Sequence, residues 1–231
     1  VLNSPFSFIR TFNKNFFKKK NFMDPSKVNQ VLKPIKMVND SIYSKPNVMI
    51  IVMESFGREY TGAFNKNRNI KNYVSYTPFL DSLSNSSMIF TNAFANGRQS
   101  IEALPSILAS VPSFKIPFTS SPYANQEIQS LVSVFNEKGY TTSFFHGAPN
   151  GSMGFLGLSN ILGFNNYFGK NEFNDNSLYD GFWGIWDEPF LQYVNNTTSK
   201  LKEPFFSTYF SLSSHEPFYV PDEYKGVFPM G

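Results

Sequence analysis

Glu54, Ser100, His146 and His215 have side chains suited to catalysis or metal binding, and each stands where a regular segment begins or ends. Glu54 closes the apolar run Val48-Met49-Ile50-Ile51-Val52-Met53. A carboxylate there is a hard oxygen ligand for a divalent cation, or a proton acceptor. Ser100 stands where the loop NGRQ becomes the helical pattern SIEALPSIL. Backbone N–H groups and the helix dipole favour an anion at such a point. A hydroxyl placed there, once activated, can attack phosphorus or sulfur. The chain has two histidines, and both follow strand-like runs: TTSFF before His146 and FSTYFSL before Ser213-Ser214-His215. The competing interpretation is structural. Ser is a favoured N-cap, and polar residues at loop starts often cap nearby backbone.

Positioning these groups requires strands that end together. VMIIVM is short, continuous and β-branched, as a buried strand should be. MIFTNAF (88–94), TTSFF (141–145) and FFSTYFSL (205–212) are further strand candidates. Between them lie predicted helices: 77–87 with Thr77 as N-cap and Pro78 at the first position, 100–111, 126–138 ended by Gly139, and 186–194. HGAPNGSMGFLG reads as a glycine-rich loop. Strands alternating with helices predict an α/β fold, a mostly parallel sheet with helices on both faces. In such sheets ligands bind beyond the carboxyl ends of the strands, so Glu54, His146 and His215 are expected on one rim. The segment WGIWDE reads as a helix start, with Asp187 and Glu188 near the positive end and Trp183 and Trp186 packed inward. Its alternative is a pocket wall.

The composition narrows the classes. With 231 residues the chain suits one sizeable α/β domain. Residues 1–45 read as a leader or juxtamembrane linker and 46–231 as the catalytic-type domain. In the leader, SFIRTFNKNFFKKKNF mixes Phe and Lys in a way that suits either a solvated helix or contact with a membrane surface. A formal charge of +3 with no dense basic face beyond this leader argues against nucleic acid as partner. The absence of cysteine excludes disulfides, thiolate metal sites and a Cys nucleophile.

Five motifs in order, NVMIIVMESFGREYTG, YTPFLDSLSNSSMIFTNAFANGRQSIEALPSILASVP, YTTSFFHG, DGFWGIWDE and SSHEPF, closely resemble the lipoteichoic acid synthase-like, phosphoglycerol transferase branch of the sulfatase and alkaline phosphatase superfamily. The resemblance runs from about residue 47 to the end. It implies an alkaline phosphatase-like fold and an extracytoplasmic catalytic domain of a membrane protein in the cell envelope. Glu54 would bind a divalent metal, Mn²⁺ first, with Zn²⁺ or Mg²⁺ as alternatives. Ser100 would be both nucleophile and metal ligand. His215 would contact the substrate head group, and His146 would line the pocket. The implied reaction moves a phosphoglycerol-type group from a lipid head group through a covalent intermediate on Ser100.

Two departures from the branch carry expectations of their own. The branch completes its metal site with an adjacent Asp-His pair, and this chain contains no such dipeptide. The expectation is a C-terminally truncated piece holding half the metal ligands and lacking activity by itself. The branch also follows its HG motif with Trp and Arg, whereas HGAPNGSMGFLG has neither, leaving Arg98 or Arg58 to supply positive charge. Two other functions compete: a sulfatase acting on sulfate esters, and a non-catalytic binding module. Ser100 lacks the following x-P-x-R of formylglycine-forming sulfatases, which counts against that maturation.

Overall fold

The computed structural model describes residues 4–11, 21–32, 44–66, 68, 70–71, 73–113, 116–121 and 123–227. The chain divides into two units, Val1–Ser44 and Lys45–Gly231. In the first, helices span Ser4–Thr11 and Pro25–Val31. Asp24 caps the second, its carboxylate accepting the Ser26 N–H at 2.8 Å. The Phe/Lys stretch over residues 12–20, on which the membrane-surface expectation rests, lies outside the described residues. Among the described residues no helix is long and apolar enough to cross a membrane.

The second unit is built on four parallel strands: β1 (Val48–Val52), β2 (Thr141–His146), β3 (Asn166–Phe168) and β4 (Phe205–Phe210). Their order across the sheet is β1-β4-β2-β3. Val52 of β1 and His146 of β2 both pair with Phe210 of β4, so three strands end at one level. Successive side chains on a strand face opposite ways, and the core divides accordingly. Phe144, Phe206 and Phe210 join Leu104, Leu108, Val132, Phe155, Leu158 and Leu162. Those partners come from helices Ser100–Ala109, Leu131–Glu137 and Phe155–Leu162. Phe145 and Tyr209 face the other way and pack with Ile185, Phe190 and Val194, the last two from helix Asp187–Thr198. The sheet therefore carries helices on both faces, the architecture that alternating strand and helix patterns predict.

Three local expectations change. MIFTNAF forms no strand: Met88, Phe90 and Phe94 are 83, 70 and 91 % exposed, and an apolar run without a partner strand makes no ladder. Within the segment read as a loop, a helix begins at Phe155 after Gly154, which adopts φ 72° and turns the chain into it. The helix expected from Gln126 starts later, because Ser130 and Ser133 form a reciprocal cap: the Ser130 hydroxyl accepts the Ser133 N–H at 3.1 Å, and the Ser133 hydroxyl accepts the Ser130 N–H at 2.9 Å.

Candidate active site

Glu54 lies two residues beyond the end of β1, half-buried at the carboxyl edge of the sheet. Its backbone N–H donates to the Ser211 hydroxyl at 2.7 Å, and the Ser211 N–H donates to the Val52 carbonyl at 2.9 Å. The exits of β1 and β4 are thus stitched together. Ser55, next in the chain, holds the left-handed region with φ 49°, an uncommon conformation for a residue with a Cβ. That turn brings the Ser55 hydroxyl to Glu54 Oε1 at 3.0 Å.

Ser100 is the first residue of the helix Ser100–Ala109, and its hydroxyl donates to Glu54 Oε2 at 2.6 Å. Two residues separated by 46 positions therefore form one carboxylate–hydroxyl pair at a helix N-terminus. Glu102 fixes the turn into that helix, its carboxylate accepting the N–H groups of Arg98 and Gln99 at 2.8 and 3.2 Å and the Ser113 hydroxyl at 2.5 Å. The Ser113 bond first, and the Arg98 N–H next, hold the Glu102 carboxyl below the usual carboxylate range. Arg98 stands exposed beside this turn. Arg58 is exposed as well, but its guanidinium donates to the Thr91 carbonyl at 2.9 Å and lies 5.3 Å from the Phe64 ring centroid.

His146 ends β2, fully buried between Phe210 and Phe155 rings. Its Nδ1 faces the Phe210 carbonyl at 3.1 Å; a carbonyl only accepts, so Nδ1 carries the proton. Nε2 has no hydrogen-bond partner and presents a lone pair. Burial pushes the imidazole pKa down to about 4, against the upward pull of the Phe210 carbonyl and the Glu54 carboxylate. His146 is therefore neutral at pH 7. Gly147 follows it and approaches Gly184 so closely that a Cβ on Gly184 would sit 2.5 Å from the Gly147 carbonyl oxygen.

His215 lies five residues past β4 and joins a different set of contacts. Its ring centroid is 4.1 Å from that of Trp183. The Trp183 indole N–H donates to the Glu216 carbonyl at 2.7 Å, the same carbonyl that faces His215 Nδ1 at 3.0 Å. Trp183 thus supports His215 instead of packing into the core. Asp187 is a residue whose reach sequence reasoning missed. One oxygen accepts the Tyr209 hydroxyl at 2.8 Å and the Leu212 N–H at 2.7 Å, and the other accepts the Ser213 N–H at 2.7 Å. Its own N–H donates to the Ser213 hydroxyl at 2.8 Å. Burial pushes the Asp187 carboxyl up, and these donors pull it back. A first-turn acid is visible in the sequence as a helix signal; its partners some 25 residues away are not.

The structure thus brings Glu54 and Ser100 into contact, sets His146 at the same strand level, and places His215 on the loop leaving β4. Glu54 and Ser100 offer two hard oxygen donors of the kind a divalent cation takes. Among the described residues no group of three or more His, Asp or Glu side chains gathers to hold an ion.

The profile of the sulfatase family matches residues 46–230, which is most of the chain. The chain belongs to the sulfatase family. A curated relative, the lipoteichoic acid synthase-like protein YvgJ of Bacillus subtilis (strain 168), is 22 % identical over 205 residues, covering 82 % of this chain and 32 % of that protein. Lipoteichoic acid synthase 2 of the same organism is 27 % identical over 108 residues, covering 47 % of this chain and 16 % of the relative. Among solved structures, the lipoteichoic acid synthase LtaP from Listeria monocytogenes superposes with a TM-score of 0.65 at 25 % identity, covering 78 % of this chain and 43 % of LtaP. The C-terminal periplasmic domain of EcEptC from Escherichia coli, in complex with Zn, superposes at 0.55 with 15 % identity, covering 78 % of this chain and 48 % of that one, and supports the fold alone. These similarities place the sulfatase domain in the lipoteichoic acid synthase-like branch of the alkaline phosphatase superfamily, a metal-dependent enzyme class. The chain spans about a third of YvgJ and less than half of each solved chain.

Proposed function

We propose that the protein carrying this domain is a phosphoglycerol-type transferase or phosphodiester hydrolase acting on lipid head groups, with its catalytic domain outside the cytoplasm at a membrane surface. The observation that carries this reading is the 2.6 Å bond from Ser100 to Glu54 at the start of a ten-residue helix. A hydroxyl in that place faces the partial positive charge of the helix, which favours a phosphodiester anion. The relatives named as lipoteichoic acid synthases support the substrate class.

Glu54 and Ser100 would hold a divalent cation, Mn²⁺ first as the family resemblance implies, with Zn²⁺ or Mg²⁺ as alternatives; two oxygen donors suit Mn²⁺ and Mg²⁺ alike. Bound there, the cation would offset substrate charge and lower the pKa of the attacking hydroxyl. Ser100 Oγ forms a bond to phosphorus as the bond from phosphorus to the lipid alcohol oxygen breaks. The serine proton ends on that alcohol. An acceptor hydroxyl or water then takes the group from Ser100, and its proton returns to the serine. His215, propped on Trp183, would contact the head group, and the His146 lone pair would line the pocket. Arg98, exposed at the turn into the helix, would offer positive charge to the anion.

The test is Ser100→Ala in the full-length protein, assayed with Mn²⁺ for release of a glycerol-phosphate head group from phosphatidylglycerol vesicles. Turnover should fall by at least about 10³-fold while vesicle binding persists. Undiminished turnover would reject Ser100 as nucleophile. Release of sulfate from an aryl sulfate, without head-group release, would favour the sulfatase alternative.

A further inference from the structure

We propose that Asp187 is a positioning residue that fixes the loop leaving β4, and through it both Glu54 and His215. This rests on the reading of Glu54, Ser100 and His215 as the reacting and substrate-contacting groups. The loop is held at three successive residues. Ser211 accepts the Glu54 N–H, while Leu212 and Ser213 donate to the two oxygens of Asp187. Ser213 returns a bond by accepting the Asp187 N–H. Two residues further on, His215 rests on Trp183. Trp183 in turn belongs to a turn whose N–H groups at 182, 183 and 184 converge on Asp180 Oδ1 at 2.8, 2.8 and 3.0 Å. The segment 180–187 is therefore one rigid bracket, with Asp187 gripping the loop before His215 and Trp183 supporting His215 itself.

Other carboxylates could neutralise the helix N-terminus; Glu188 is in the same first turn. Asp187 does more, because its two oxygens face two consecutive backbone N–H groups that lie outside any strand or helix. A buried N–H needs an acceptor, so the carboxylate dictates the path of the loop. Displacing reacting groups by about 1 Å can cost on the order of 10²-fold in rate.

The experiment uses the full-length protein with Asp187→Asn, Ser100→Ala and Thr198→Ala. Asparagine keeps an oxygen for Tyr209 and Leu212 but turns an amide donor toward the Ser213 N–H. Thr198 lies in the last turn of the same helix, where its hydroxyl donates back to the Val194 carbonyl at 2.8 Å, and it makes no hydrogen bond to the loop leaving β4. Head-group release and hydrogen exchange by mass spectrometry are read together. For Asp187→Asn the expected result is a fall in kcat/KM of about 10- to 100-fold, with faster exchange confined to residues 211–215. Thr198→Ala removes a buried hydroxyl bond in the same helix away from the loop, and should keep kcat/KM within about twofold. Wild-type kcat/KM in Asp187→Asn, where Ser100→Ala is inactive, overturns the positioning role alone, whether or not exchange rises. Surviving turnover in Ser100→Ala overturns the nucleophile and takes the positioning role with it.

Discussion

Strands β2 and β4 are buried from their second residue onward, whereas β1 alternates half-buried and exposed positions. Phe145, Phe206 and Tyr209 are closed off on one face or the other, while Met49, Ile51 and Met53 stand 37, 57 and 45 % exposed. The two regions also hold their polar groups differently. Asp187 and His146 sit among packed rings and bonded loops; Glu54 and Ser100 are half-buried, Ser55 is exposed, and Glu54 accepts hydrogen bonds from both serines. The contrast teaches a division of labour. The Phe-rich side fixes positions, and the β1 side presents the groups that would react. A carboxylate that would trade its hydrogen bond from a hydroxyl for a cation, as proposed for Glu54, must stay accessible, and the buried side could not offer that without a large desolvation cost.

Core truncation gives the largest stability effect that tests this contrast. Phe206 is fully buried and stacks on Phe135 at 4.3 Å, so Phe206→Ala should cost about 3–5 kcal/mol in urea unfolding. Ile51→Ala, on the open face of β1, should cost within about 0.5 kcal/mol. If Ile51→Ala in the full-length protein cost as much as Phe206→Ala, the contrast would fail, because something would then cover β1.

The next effect is electrostatic and belongs to the packed side. His146 titrates at about 4 in the fold against 6.5 when unperturbed. Above pH 6.5 both states are neutral and the group contributes no pH dependence. Between 6.5 and 4 the unfolded chain takes up a proton that the fold refuses, so stability falls as pH falls, by roughly 3 kcal/mol from this group, and levels off below 4. Unfolding midpoints measured at pH 7.5, 6, 5 and 4 should show this slope, and His146→Phe should flatten it. An unchanged slope in the variant would mean that His146 is not the buried neutral base described.

Much of this was legible in the sequence because the informative signals were local. The runs VMIIV, TTSFF and FFSTYF are dense enough in β-branched and aromatic residues to declare strands, and their polar successors mark the rim. Glu54 is marked that way and Ser100 by its place where a loop becomes a helix, and the fold puts them in contact. What escaped depended on partners. β3 is three residues long and exists because Asn166, Tyr167 and Phe168 pair with Ser143, Phe144 and Phe145. MIFTNAF is as apolar and aromatic as a strand yet finds no ladder among the described residues. Trp183 and Asp187 belong to a segment that looks like a routine helix start, and their roles lie in contacts with a loop near residue 213. Periodicity reports which face is apolar; it cannot report which distant N–H a carboxylate will satisfy.

The smallest effect compares the caps of two helices that share one core face, one cap next to the candidate nucleophile and one away from it in sequence. Ser130 is buried and caps the helix Leu131–Glu137, which packs on the sheet far along the chain from the candidate nucleophile. Ser130→Ala should cost about 1 kcal/mol of stability and leave kcat unchanged. Glu102 caps the helix that begins with Ser100, accepting the N–H groups of the two residues just before it. Glu102→Ala frees that turn, so the Ser100 hydroxyl no longer has one fixed direction toward Glu54. Its effect should appear as a severalfold fall in kcat for head-group release, together with a loss of stability of the kind that removing a helix cap brings. Measured side by side in the full-length protein, the two variants should separate in rate: stability alone for Ser130, rate as well as stability for Glu102. If both moved stability alone, the turn before Ser100 would be scaffold like the rest, and the division between a side that fixes and a side that reacts would have to be drawn closer to Glu54.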